Sequence, residues 1–363
     1  MLKFKLKDLD IINELDKYGS QISTTQISRN LNIPARTIRY RLTKLKERNL
    51  LNPSFVFMHE RKLGLGEQIL ILEENQKSQS MVLSILNAFP TFYWHAHTYG
   101  KFNGFLVHSI FDLSKPDTNI KIISEMKKKN LIKDYQIFQM VDYYHKSMNY
   151  KKYMPRLGRV MNWDEWFKSI DNQDVISKIL DTNLNESSNL VDFDYKDILI
   201  LQQLSINGMI TLQQLGNILS LSKAQIRKRI LNLKKKKIIK IVKPIFSPIP
   251  KDQMLYLYCF IEVGKLKKEF IKYIFQIPFS FMFIFESNNR FCIRLNFSRK
   301  DMISFINGFD LLKEYIDSYF IQFIFENPTT RNPELYDLYN RDTKTWEIDI
   351  NRIISKIKNM KKL

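Results

Sequence analysis

Apolar residues in the first fifty positions recur at helical spacing in three short runs. Ile11, Ile12 and Leu15 mark the first run, which Gly19 closes; a second begins near Thr24 with Ile27 and Leu31 on one side. The third begins at Pro34, a residue favoured in a first helical turn, and places Ile38, Leu42 and Leu45 on a common face. A strand-like LLNPSFVF follows. Three short helices, a tight turn before the third and a strand after it predict a winged or extended helix-turn-helix.

The pattern then changes to short strands alternating with helices. Strands are predicted at 68–73, 92–99, 105–111 and 135–141 and helices at 79–89 and 119–129, with a GKFNG turn between the second and third strands. That order, βαββαβ, is ferredoxin-like.

About 188 residues further on, the same order returns. Asp8, Gly19, Ile38, Arg41 and Leu45 align with Asp197, Gly208, Ile226, Arg229 and Leu233, and Ser222 stands as a helix N-cap where the first copy has Pro34. Strands near 255–262, 280–285, 291–297 and 318–325 and helices near 266–275 and 300–316 complete the second βαββαβ set. Each half ends in a Trp-containing stretch with an apolar helix, and DTNLNESSN at 181–189 reads as a linker.

The expected fold class is therefore α+β, two tandem units, each a winged helix-turn-helix followed by a ferredoxin-like domain, with a C-terminal helical tail. The expected domains are 1–62, 63–146, 147–190 (tail and linker), 191–252, 253–328 and 329–363.

Charge narrows the partner. The chain of 363 residues carries 57 Lys and Arg against 37 Asp and Glu, a net charge of +20. Residues 1–62 hold 13 basic and 6 acidic side chains and residues 191–252 hold 12 and 4, so the two helix-turn-helix segments contribute +7 and +8. A lysine-rich surface without a purpose would spread that charge evenly; its concentration there implies a polyanion, double-stranded DNA. A third helix lying in the major groove would present Arg36, Thr37, Tyr40 and Lys44, with Arg39 at its side. Arg36 and Tyr40 are the expected base readers, and Arg39 and Lys44 the expected phosphate contacts. The second copy presents Gln225, Lys228, Asn232 and Lys235, with Arg227 beside them, and is expected mainly to clamp the backbone.

Other chemistry is sparse. Cys259 and Cys292 sit singly in apolar stretches and read as buried thiols. His95 and His97 share a strand face, but no third ligand stands at a useful spacing, so neither metal nor cofactor is expected. The aromatic runs FYWHAHTY and FSFMFIF read as sheet core. Neither an apolar span nor an export signal is evident, and a cytoplasmic protein is expected.

The residues from Asp8 and Ile11 through Arg41, Leu42 and Leu45, the RKLGL segment and the turn Gly100-Lys101-Phe102-Asn103 resemble the Lrp/AsnC family of transcription regulators. The resemblance covers roughly residues 8–141 and, more loosely, 195–325. It implies a regulator that is not an enzyme, with a RAM-like sensor domain. Its small-molecule effector, such as an amino acid, would be met by Gly100, Phe102, Asn103 and Gly104. The second copy reads Ser287-Asn288-Asn289-Arg290 there, without the glycines, so at most one such turn is intact. A pseudo-dimer within the chain, able to pair further as a homodimer, is the implied assembly. Siroheme decarboxylases resemble the same two-domain arrangement and stand as the alternative. A protein-binding scaffold is a third reading.

Overall fold

The computed structural model describes residues 6–19, 22–147, 190–246 and 253–360, apart from short breaks at 264–269, 271–273, 276, 278, 288, 311–314, 325–328 and 331. The linker at 181–189 and the first tail lie outside the described residues. Compactness follows like elements rather than chain order. One body contains Met1–His59, Val191–Asp252 and Tyr339–Thr345; the other contains Glu60–Leu190, Gln253–Leu338 and Trp346–Leu363.

The first body holds both helix-turn-helix segments. Copy one is α1 (Leu6–Tyr18), α2 (Thr24–Leu31), α3 (Ala35–Glu47) and β1 (Leu51–Met58). Copy two repeats this as α6 (Tyr195–Ile206), α7 (Leu212–Leu219), α8 (Lys223–Lys235) and β7 (Ile239–Phe246). The predicted inward residues make its cores: Ile11, Ile12, Leu15, Ile27, Ile38 and Leu45 in copy one, and Ile200, Leu201, Leu204, Leu215, Ile226, Ile230 and Leu233 in copy two. Leu42, expected inward with them, is only half-buried.

Local chemistry starts and stops the helices. Ser23 caps α2 by accepting from Gln26 N–H, and Asn32 ends it in the left-handed region at φ 51°. Reciprocal capping boxes open α6 (Asp194 with Asp197), α7 (Thr211 with Gln214) and α8 (Ser222 with Gln225).

Strands β1 and β7 pair antiparallel, with Val56 opposite Val242 and Phe57 opposite Ile241. This pairing gives the helix-ending glycines a second role. A Cβ on Gly208 would lie 2.7 Å from the carbonyl of Ser54 in β1, and one on Gly19 3.1 Å from the carbonyl of Val242 in β7. Each copy thus closes its first helix against the strand of the other: at Gly208 a Cβ would collide with backbone, and at Gly19 the positive φ of 83° and the tight contact both favour glycine.

The second body is one continuous sheet. It comprises β2 (Leu65–Glu74), β3 (Trp94–Gly100), β4 (Gly104–Asp112), β5 (Ile132–Met140), β6 (Asp142–Lys146), β8 (Met254–Glu262), β9 (Ser280–Phe285), β10 (Arg290–Ser298) and β11 (Ser318–Ile324). The order is β5-β2-β4-β3-β11-β8-β10-β9-β6, with a short β12 (Thr329–Thr330) off the path on β3. Each half contributes a four-stranded block of ferredoxin-like order, and β11 on β3 joins the blocks. Only Val141 separates β5 from β6, and its N–H donates to Phe285 of β9, so the path returns to where it began.

Both faces of this sheet are buried. On the outer face α4 (Gln79–Leu86), α5 (Thr118–Lys128) and the C-terminal α10 (Ile350–Lys358) pack over Leu70, Leu72, Phe105 and Val107. Ile353 and Ile357 of α10 are in that core, and Lys129 Nζ caps the helix end through the carbonyls of Lys358 (2.6 Å) and Met360 (3.4 Å). In the second half, α9 (Met302–Asp310) precedes β11. The inner face joins residues of both halves, among them Ile69, Ile71, Trp94, Leu106, Phe138, Tyr258, Phe260, Ile284 and Cys292. Both cysteines are free and buried. No described helix is long and apolar enough to cross a membrane.

Candidate functional site

The recognition helices are held by the same brace in each copy. Arg41 donates to Asp8 at 2.8 Å; Arg229 donates to Asp197 at 2.8 Å and to Asp194 at 2.9 Å. These pairs pin the inner side of α3 and α8 to α1 and α6, leaving the opposite side to solvent. On α3, Arg36, Arg39 and Tyr40 are exposed, and Thr37 and Lys44 are half-exposed. Lys44 pairs with Glu47 at 2.7 Å and lies 5.9 Å from the Tyr40 ring. Arg39 Nε makes a long 3.4 Å contact with the Ala35 carbonyl. Arg36 makes no ion pair or side-chain hydrogen bond with any described residue.

On α8, Arg227, Lys228, Asn232 and Lys235 are exposed. Gln225 is exposed as well, but its Oε1 accepts from Ser222 N–H at 2.8 Å, so its side chain is engaged in starting the helix. The sequence signal for this, Ser followed three residues later by Gln, was present in the motif. Leu231 stands 58% exposed on the same face.

The Gly100–Gly104 turn is packed against β11. Gly100 has φ +152°, and a Cβ there would fall 2.1 Å from the Ile321 carbonyl; at Gly104 it would fall 2.3 Å from the Leu72 carbonyl. Phe102 is buried, and its N–H donates to Gln322 Oε1 at 3.0 Å while Gln322 Nε2 donates to the Phe102 carbonyl at 2.8 Å. Asn103 is exposed and accepts from Gly100 N–H at 3.4 Å. The turn therefore plugs the joint between the two strand blocks.

His95 and His97 face α4. His95 Nε2 lies 3.2 Å from Asn87 Oδ1, and the His97 ring lies tilted against Phe105 with ring centres 4.4 Å apart. No group of three or more His, Cys, Asp or Glu that could hold a metal occurs among the described residues.

Between the strand blocks lies a polar cluster that the sequence reading missed. Tyr93 donates to Glu67 at 2.6 Å, His108 Nδ1 is 3.4 Å from the Tyr93 hydroxyl, and His108 Nε2 is 3.0 Å from the Tyr258 hydroxyl. Because the Tyr93 proton is committed to Glu67, Nδ1 is the protonated ring nitrogen and Nε2 accepts from Tyr258. Burial, with a contribution from the Arg294 charge, lowers the His108 pKa to about 3, so the ring is neutral at pH 7. The Arg294 guanidinium lies 5.5 Å from the ring centres of both Trp94 and Tyr258. The signal available was a polar residue at an inward register in two apolar strands, GFLVHSIFD and RFCIRLNFS.

Residues 5–51 match the family described as winged helix-turn-helix DNA-binding. No curated protein sequence matches the chain. Among solved structures, the siroheme decarboxylase NirDL superposes with a TM-score of 0.56 at 10% identity, covering 97% of this chain and 98% of that one. Its co-complex with an iron-uroporphyrin III analogue gives 0.48 at 12% identity, covering 89% and 92%. The transcriptional regulator NMB0573 with L-Met, from Neisseria meningitidis, gives 0.32 at 19% identity, covering 38% and 92%. The first of these shows the fold, two successive units of helix-turn-helix and α/β domain. It also corrects one expectation: the resemblance to a regulator family implied a protein that is not an enzyme, yet the full-length match is to an enzyme, so this architecture does not separate regulators from enzymes.

Proposed function

We propose that the chain is a sequence-specific, double-stranded-DNA-binding transcription regulator of the Lrp/AsnC type, acting in the cytoplasm as a pseudo-dimer, with its α/β body responding to a small-molecule effector. The observation that carries this reading is the pair of exposed basic helices, α3 and α8, each braced by an Asp–Arg pair and joined in one body through β1 and β7. Copy one is the reader, through Arg36 and Tyr40, with Thr37 alongside. Copy two is the clamp, through Arg227, Lys228, Asn232 and Lys235 on phosphate. Selection of bound sites from random duplex DNA at physiological salt tests it. An enriched motif supports the reading; no motif, together with binding that disappears on a modest rise in salt, overturns it.

The full-length fold match favours a second reading, an enzyme acting on siroheme-like tetrapyrroles. Under it, His108 and Arg294 on the inner sheet face would meet the substrate. Incubation with siroheme followed by mass spectrometry separates the two readings: loss of carboxyl groups supports the enzyme, and unchanged siroheme with no bound Soret band removes it.

A further inference from the structure

The two recognition helices differ most at their outward positions. The alignment that pairs Ile38 with Ile226 sets Arg36 against Ala224, Tyr40 against Lys228 and Thr43 against Leu231. Each of these outward side chains is exposed. At about 100° per residue, Ala224, Lys228, Leu231 and Lys235 fall within about 60° of one another on α8, on the side away from the buried Ile226, Ile230 and Leu233. Arg229, paired with Asp194 and Asp197, fixes that rotation of the helix.

Leu231 is 58% exposed, and the charged side chains beside it on this face are Arg227, Lys228 and Lys235, all exposed. An apolar side chain in water is stabilised only when another apolar group covers it. The cationic rim restricts that cover to something apolar at its centre and anionic around it. A major groove meets both requirements: phosphates line its edges, and the 5-methyl of thymine is an apolar group on its floor. Ala224 adds a second methyl on the same line. Its short side chain, where copy one has Arg36, lets that end of α8 come closer to the groove floor. Ala224 and Leu231 stand about 10 Å apart along the helix axis, a distance that spans about three base pairs of duplex.

We propose that Ala224 and Leu231 read thymine methyl groups in the major groove. The half-site under copy two then carries thymine at two positions about three base pairs apart, whereas the half-site under copy one carries guanine opposite Arg36. Copy two is thereby a reader of thymine as well as a phosphate clamp, and the two half-sites differ in sequence. This deepens the DNA-binding part of the proposed function and rests on it.

Replacing thymine by 2′-deoxyuridine removes the methyl and leaves the pairing edge unchanged, so it tests this contact directly. A site is first selected from random duplex with the full chain at physiological salt. Each of its thymines is then replaced in turn, and affinity is read by fluorescence anisotropy. Positions whose preference relaxes in Arg36→Ala mark the half under copy one. In the other half, deoxyuridine should weaken binding about fourfold at each contacted thymine, the value of one buried methyl. Leu231→Ala should bind the parent site more weakly and, at one of those positions, bind thymine and deoxyuridine alike. Leu231→Thr, which supplies the copy-one residue and keeps a methyl, should retain part of the difference, and unchanged melting temperatures exclude misfolding of either variant. A selected site in which no deoxyuridine changes affinity, or a deoxyuridine effect that persists in full in Leu231→Ala, overturns this proposal and leaves the DNA-binding reading standing. Absence of any enriched motif overturns both.

Discussion

Strands β4 and β10 have the same neighbours and the same register, yet one turns His108 inward and the other Arg294. The recognition helices repeat that relation. Arg41 and Arg229 make matching braces, whereas α3 presents Arg36 and Tyr40 where α8 presents Ala224 and Lys228. In both bodies the framework residues agree between halves and the residues proposed to face a ligand or DNA differ. Packing constrains the former twice over, and the latter are free to specialise.

The largest test of the inner-face comparison is pH. The folded-state pKa of His108 is about 3, below its ordinary value of 6.5, so the unfolded chain binds the extra proton first. Its contribution to stability is complete above pH 6.5 and is lost as pH falls toward 3, at up to about 1.4 kcal/mol per pH unit and about 5 kcal/mol in all. Urea titrations from pH 7 to pH 4 should show this loss, and His108→Gln should flatten it. An unchanged slope would mean that His108 is not held neutral.

Next is the pair of turns. Gly100→Ala should destabilise the chain by about 3 kcal/mol, because φ is positive and the Ile321 carbonyl stands in the way. Ser287→Ala, in the corresponding turn, removes one hydroxyl and should cost about 1 kcal/mol. Equal melting temperatures for the two variants would show that the turns are not distinct. On the helices, Arg36→Ala should relax the preference at one base pair by about 2 kcal/mol, whereas Arg227→Ala should weaken binding to all sequences alike and lower the salt dependence. Competition binding with single-base variants of the selected site reads both. The smallest effect concerns caps: Ser222→Ala should cost about 1 kcal/mol, and Pro34→Ala, at a helix start with no side-chain cap bond, less. Thermal melts compare them.

The helical spacing of Ile38 and Leu45 and the capping residues Ser23 and Ser222 made the three-helix units legible, because these signals act over one or two turns. The first βαββαβ set was legible too, with ends shifted by a few residues, as at β5 (Ile132–Met140) against an expected 135–141, whereas much of the helix expected at 266–275 lies outside the described residues. Gln225, an expected DNA contact, also closes the capping box with Ser222 that their spacing announces. His108 and Arg294 went unnoticed because alternation assigns each to a face without saying what the other half brings to that face.

The sequence by itself determined the identity and order of the elements, the buried face of each helix and the place where positive charge gathers, since these follow from short-range periodicity and composition. Tertiary structure alone decided that β1 pairs with β7, that β11 joins β3, that Gly19 and Gly208 press on strands of the opposite copy, and that a neutral histidine shares an inner face with an arginine. Those relations link residues about 150 to 230 positions apart in the chain, where no local preference acts and only mutual burial selects the partner.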